Sequence, residues 1–187
     1  MVICGDITTF GPASIANSIL KNLKTRCAAV PGNCDPDNVA KAIEKHCISL
    51  HLRRVSIDGI DFVGIGGAPV CSMSTPLEFP EADIERELSR IIVDDCILVT
   101  HAPPYGINDL TRSGKRLGSR SIAKLAAEHR PRIVASGHVH ESRGIVEKEG
   151  TIFLNPGALK DGFCILADIG KRIETRIFDV RGMRQNL

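Results

Sequence analysis

Four times in this chain a short apolar run stops at residues able to carry chemistry. Val2-Ile3-Cys4 gives way to Gly5-Asp6, and Cys27-Ala28-Ala29-Val30 to Pro31-Gly32-Asn33-Cys34-Asp35. Cys96-Ile97-Leu98-Val99 runs into Thr100-His101-Ala102-Pro103-Pro104, and Ile133-Val134-Ala135 into Ser136-Gly137-His138-Val139-His140. Brief apolar runs bounded by turn residues read as buried strands. Helical patterns between the early ones point to an α/β sheet. In such sheets ligands gather beyond the carboxyl ends of strands, where all four sets of polar residues fall.

The intervening segments fit that frame. Ile15, Ile19, Leu20 and Leu23 recur at helical spacing, predicting a helix from Pro12 to Lys24 with that face inward. A second helix is predicted from Pro36 to His46, with Asp35 as its cap and Val39, Ala40 and Ile43 inward. Asp58-Gly59 between two apolar runs predicts a hairpin. Pro80-Glu81 opens a helix carrying Ile84, Leu88 and Ile91, and Ser119 caps one carrying Ile122, Leu125 and Ala126. After His140 strands follow in series, from Ile145 to Val180, and the tail beyond Arg181 is expected to fray. The whole predicts an α/β layered sandwich with a partly antiparallel sheet, a single domain over residues 1–187.

Composition narrows the function. With 43% apolar and 25% charged residues among 187, the chain is that of an ordinary globular domain. A net charge of +2, no tryptophan and one tyrosine argue against nucleic-acid binding. No apolar stretch is long enough to span a bilayer, and the N-terminus lacks the pattern of a signal peptide. Seven cysteines without a C-x-x-C pair argue against a disulfide framework or zinc ribbon. Reduced thiols in a cytoplasm are the expectation.

Each polar residue has two readings when taken singly. Asp6 is a metal ligand, or a turn or capping residue. Asn33 offers an amide oxygen to a cation, or serves a turn. His138 and His140 would face one volume if the backbone stayed extended; otherwise they are solvated imidazoles on a polar turn. Together one carboxylate, one amide and three imidazoles at strand ends suit a divalent transition metal. Basic residues in the 104–117 loop (Arg112, Lys115, Arg116) could meet an anionic substrate or simply be solvated.

The motifs Gly5-Asp6, Gly32-Asn33-Cys34-Asp35, Thr100-His101-Ala102-Pro103-Pro104 and Gly137-His138-Val139-His140 resemble, in order and spacing, the calcineurin-like metallophosphoesterases. The likeness is to small single-domain prokaryotic members. It implies a four-layer αββα sandwich of mixed sheets and two metals from manganese, iron, zinc or nickel. By that resemblance Asp6 bridges the metals, Asn33, His101 and His138 complete one shell, and His140 binds the second metal. Asn33, Cys34, Asp35 and His101 take the catalytic positions. A metal-activated hydroxide would then hydrolyse a small phosphomonoester or phosphodiester.

Two departures set further expectations. The family's Asp-x-His motif, upstream of Asp6, has no counterpart here, which reads as an N-terminally truncated sandwich binding one metal well and the second weakly or not at all. A start site placed too far downstream is one origin. An edge left open in this way is free to pair with another chain, a homo-oligomer included. Secondly, Cys34 stands where many relatives have histidine near the leaving group, favouring substrates with good leaving groups. The competing expectation is an impaired or inactive binding protein on the same fold, as in a retromer scaffold subunit.

Overall fold

The computed structural model describes residues 1–72, 74–170 and 172–181. Strand β1 (Val2–Ile3) leads into helix α1 (Ala13–Leu20), then β2 (Ala28–Ala29), α2 (Asp37–His46) and β3 (Ile48–Ser49). These three strands form a small parallel sheet in the order β1-β2-β3, with β1 at an edge. The hairpin β4 (Arg53–Ile57) and β5 (Ile60–Ile65) follows, with a short parallel pair β6 (Ala68–Pro69) and β7 (Glu78–Phe79) beyond it. Helix α3 (Glu81–Ser89), β8 (Ile97–Thr100), α4 (Arg120–His129) and β9 (Ile133–Ala135) come next. The hairpin of β10 (Gly144–Lys148) and β11 (Thr151–Asn155) joins them, and β12 (Phe163–Ile169) pairs with β13 (Ile173–Asp179). The large sheet has the order β10-β11-β9-β8-β5-β4; β5, β8, β9 and β11 run parallel, and its outer hairpins are antiparallel.

Alternation along the strands separates three apolar cores. Leu98 and Val134 face α3 and α4, packing with Ile84, Leu88, Ile122 and Leu125. Ile97, Val99 and Ile133 face the other way, onto Ala28, Val30 and Leu50. Ala29 turns from that middle core to join Ala16, Leu20, Val39 and Ile43 beneath α1 and α2. The result is helix, sheet, sheet, helix: the four-layer αββα sandwich of mixed sheets. Both faces of the central strands are covered, so they read as continuous apolar runs rather than alternating ones.

Local chemistry explains most elements. Asp58 and Gly59 both take positive φ (53° and 81°), as a two-residue hairpin turn requires. Ser119 Oγ accepts from Ile122 N at 3.1 Å, capping α4. Three expectations need correction. Helix α1 is shorter than its apolar pattern and turns Ala16 and Leu20 inward, leaving Ile15 and Ile19 48% and 46% exposed. The close approach of α2 selects the stripe holding small Ala16, which a count of large apolar residues passes over. The residue flanking α2 at its start is Pro36, and Asp35 does not cap it. Ala40 is only half-buried, Ala42 taking the inward place. The expected fraying beyond Arg181 lies outside the described residues.

Candidate metal centre

The loops after β1, β2, β8 and β9 meet at one point between the sheets. Glycines permit that approach. Gly5, at φ 88°, lies so near the next loop that a Cβ would stand 2.4 Å from Gly32 N and 2.7 Å from His101 Nδ1. A Cβ on Gly32 would fall 2.0 Å from Asp6 Oδ1. Asp6 itself has φ 52°, which aims its carboxylate back into the junction.

Asp35 locks two of these loops together. Its carboxylate is buried and accepts from Ile7 N (3.1 Å), Thr8 N (2.8 Å), Thr8 Oγ1 (3.0 Å) and Gly32 N (2.9 Å). The family resemblance puts Asp35 among the catalytic positions; here its oxygens accept from three main-chain N–H groups and the Thr8 hydroxyl, and it holds the Asp6 loop against the Asn33 loop.

Four side chains converge. His101 Nε2 lies 2.9 Å from Asn33 Oδ1 and 3.5 Å from Asp6 Oδ2. His138 Nδ1 lies 3.0 Å from the same Asn33 oxygen and 3.2 Å from His101 Nε2. His101 is 1% exposed and Asn33 6%. Among the described residues no three His, Cys, Asp or Glu side chains alone are arranged to hold a metal; the Asn33 oxygen is the atom on which both rings close.

The donor chemistry fits a cation. His101 Nδ1 sits 2.6 Å from the Cys4 carbonyl oxygen, which can only accept, so Nδ1 carries the proton. Nε2, on the far side of the ring, faces Asn33 Oδ1 and Asp6 Oδ2, so a nitrogen and two oxygens that can all ligate a cation share one buried point. Donors about 2.1 Å from one ion at tetrahedral to octahedral angles stand roughly 3.0–3.4 Å apart. The observed separations are close to that range. Burial, followed by the neighbouring His101, pushes His138 down to about 4, keeping it neutral and available as a ligand.

His140 does not join them. The backbone at His138 is left-handed (φ 63°), and Val139 N donates to Gly137 O at 2.7 Å, closing a three-residue turn around His138. The extended geometry that would align the two rings is lost. His140 begins a 3-10 turn (His140–Ser142) and is exposed, with no hydrogen bond to the four-residue cluster. Cys34 lies beside the cluster: its N–H donates to Asp6 Oδ1 at 2.9 Å. Burial, then the Asp6 carboxylate, pushes its thiol up to about 11.

Sequence reasoning missed Thr75 and Glu78. Asn33 Nδ2 donates to Thr75 Oγ1 at 3.0 Å, and Thr75 Oγ1 donates to Glu78 Oε1 at 2.6 Å. The separation of 42 positions between Asn33 and Thr75 left no local signal of this contact.

An imidazole–amide–carboxylate junction thus lies at the strand ends of an αββα sandwich. The profile of the calcineurin-like phosphoesterases matches residues 1–142, so the chain belongs to that family of metal-dependent phosphoesterases. An uncharacterized protein of Methanocaldococcus jannaschii is 35% identical over 165 residues, 83% of this chain and 76% of that one. A UPF0046 protein of Caenorhabditis elegans is 30% identical over 60% of this chain, which matches 38% of its length. The fold is also that of TT1561 of Thermus thermophilus: TM-score 0.68, 17% identity, 96% of this chain and 85% of that one.

Proposed function

We propose that this chain is a metal-dependent phosphoesterase whose Asp6, Asn33, His101 and His138 hold one divalent cation and whose substrate is a small phosphomonoester or phosphodiester. The observation that carries the reading is the convergence of His101 Nε2 and His138 Nδ1 on the Asn33 oxygen, with Asp6 Oδ2 3.5 Å from His101 Nε2. A cation there supplies Lewis acidity, acidifying water and neutralising charge that builds on phosphoryl oxygens.

The protein's own residues do the rest. The Cys4 carbonyl fixes the tautomer of His101. Cys34 N–H holds one Asp6 oxygen and leaves the other directed at the cluster. His101 is buried, which strengthens the charge interactions around it, while half-buried His138 leaves the junction open to solvent on one side. Cys34 stands where a proton would be handed to the leaving oxygen, and its firmly protonated thiol gives that proton up reluctantly. Substrates with good leaving groups, such as aryl phosphodiesters, are therefore favoured.

The test is manganese-dependent hydrolysis of bis-p-nitrophenyl phosphate. Activity that requires Mn2+ and is lost in His138→Ala supports the proposal. Tight Mn2+ binding without hydrolysis of this or a monoester substrate would instead favour a binding protein on the same fold.

A further inference from the structure

The carboxamide of Asn33 can present either of two faces to the histidines. Only its oxygen has a lone pair for a cation; the NH2 face would repel one. Something must choose between them, and the choice is made from the far side. An ionised Glu78 can only accept, and Thr75 N and Cys71 N donate to its two oxygens at 2.8 and 3.1 Å. Thr75 has a single hydroxyl proton, and Glu78 Oε1 takes it at 2.6 Å. Toward Asn33 the hydroxyl therefore offers only a lone pair. The amide meets it with its NH2 group at 3.0 Å, and Oδ1 is turned to His101 and His138. The same loop is pinned to Asn33 through the main chain, Leu77 N donating to Asn33 O at 3.1 Å.

We propose that Thr75, oriented by Glu78, is a positioning residue that fixes the Asn33 carboxamide with its oxygen toward the cation site. The inference rests on the proposed cation-binding role of Asn33. It makes Thr75, which is not among the proposed ligands, part of what sets metal affinity.

The experiment compares the full chain with Thr75→Val, Thr75→Ser and Asn33→Ala. Mn2+ is titrated calorimetrically, and the Asn33 side-chain amide is followed by NMR in metal-free protein. In Thr75→Val the amide protons should exchange with water faster than in wild type. Mn2+ affinity should fall on the order of 10-fold, the scale seen when a group behind a ligand is removed. Thr75→Ser, which keeps the hydroxyl, should restore both readouts. Wild-type affinity in Thr75→Val, with binding lost in Asn33→Ala, would overturn this inference alone. Failure of the wild-type chain to bind Mn2+ would overturn the cation reading and this inference with it.

Discussion

Asp35 and Thr8 are joined twice through one oxygen. Asp35 Oδ1 accepts from the main-chain N–H and the hydroxyl of Thr8, at 2.8 and 3.0 Å, across 27 residues of sequence. Its other oxygen takes Ile7 N and Gly32 N. One buried carboxylate thus staples the loop carrying Asp6 to the loop carrying Asn33. Removing it leaves several largely buried donors without a partner, each costing about 1–3 kcal/mol. Asp35→Ala should therefore lower stability by about 3 kcal/mol in urea unfolding, and weaken Mn2+ binding although no cluster side chain is altered. A stable variant with unchanged affinity would rule out this stapling role for Asp35.

His140 should prove dispensable for the cation. It is exposed and outside the cluster, whereas His138 Nδ1 stands 3.2 Å from His101 Nε2. In calorimetric titration His138→Ala should lose affinity at least about 100-fold, beyond the range for residues that merely support ligands. His140→Ala should stay near wild type. Equal losses in the two variants would mean that His140 shares the ion.

Cys34→His tests the leaving-group argument. The thiol, pushed up to about 11, is a weak proton donor at neutral pH, whereas an imidazolium has an ordinary pKa of about 6.5. General acids typically contribute about 10²–10⁴-fold. Turnover on an alkyl phosphoester should rise by about 10-fold or more, while p-nitrophenyl substrates change little. No gain on the alkyl ester would exclude Cys34 from proton transfer.

Acid should weaken the metal-free protein partly through His51. Its Nδ1 accepts from Gly66 N at 2.9 Å, which requires an unprotonated Nδ1. Burial, with help from Arg53, holds its pKa below the ordinary histidine value. Because the folded pKa is depressed, the unfolded chain takes the proton first. The stabilisation is complete above the unfolded value, about 6.5, and is lost as pH falls through the lower folded value. His51→Asn should flatten that part of the pH–stability curve measured in EDTA. An unchanged slope would show that His51 is not a source of it.

Much of this was legible in the sequence because strand ends announce themselves. Apolar runs stopping at Gly5-Asp6, Asn33, His101 and His138 located all four members of the cluster, and Asp58-Gly59 and Ser119 marked their turn and cap. What was hidden depended on single backbone angles and distant contacts. A left-handed φ at His138 sends His140 outward, and nothing in Gly-His-Val-His as letters distinguishes that turn from an extended strand. Asp35 looked like a local cap because its partners at Ile7 and Thr8 lie 28 and 27 residues away. Thr75 sat in a loop with no pattern, its role arising only once the fold brings it to Asn33.

The central claim is most directly tested by anomalous diffraction from crystals of this chain equilibrated with Mn2+. One strong manganese peak per chain is expected, coordinated by Asp6, Asn33 Oδ1, His101 Nε2 and His138 Nδ1. A peak elsewhere, two peaks of equal strength, or none at saturating Mn2+ would contradict it.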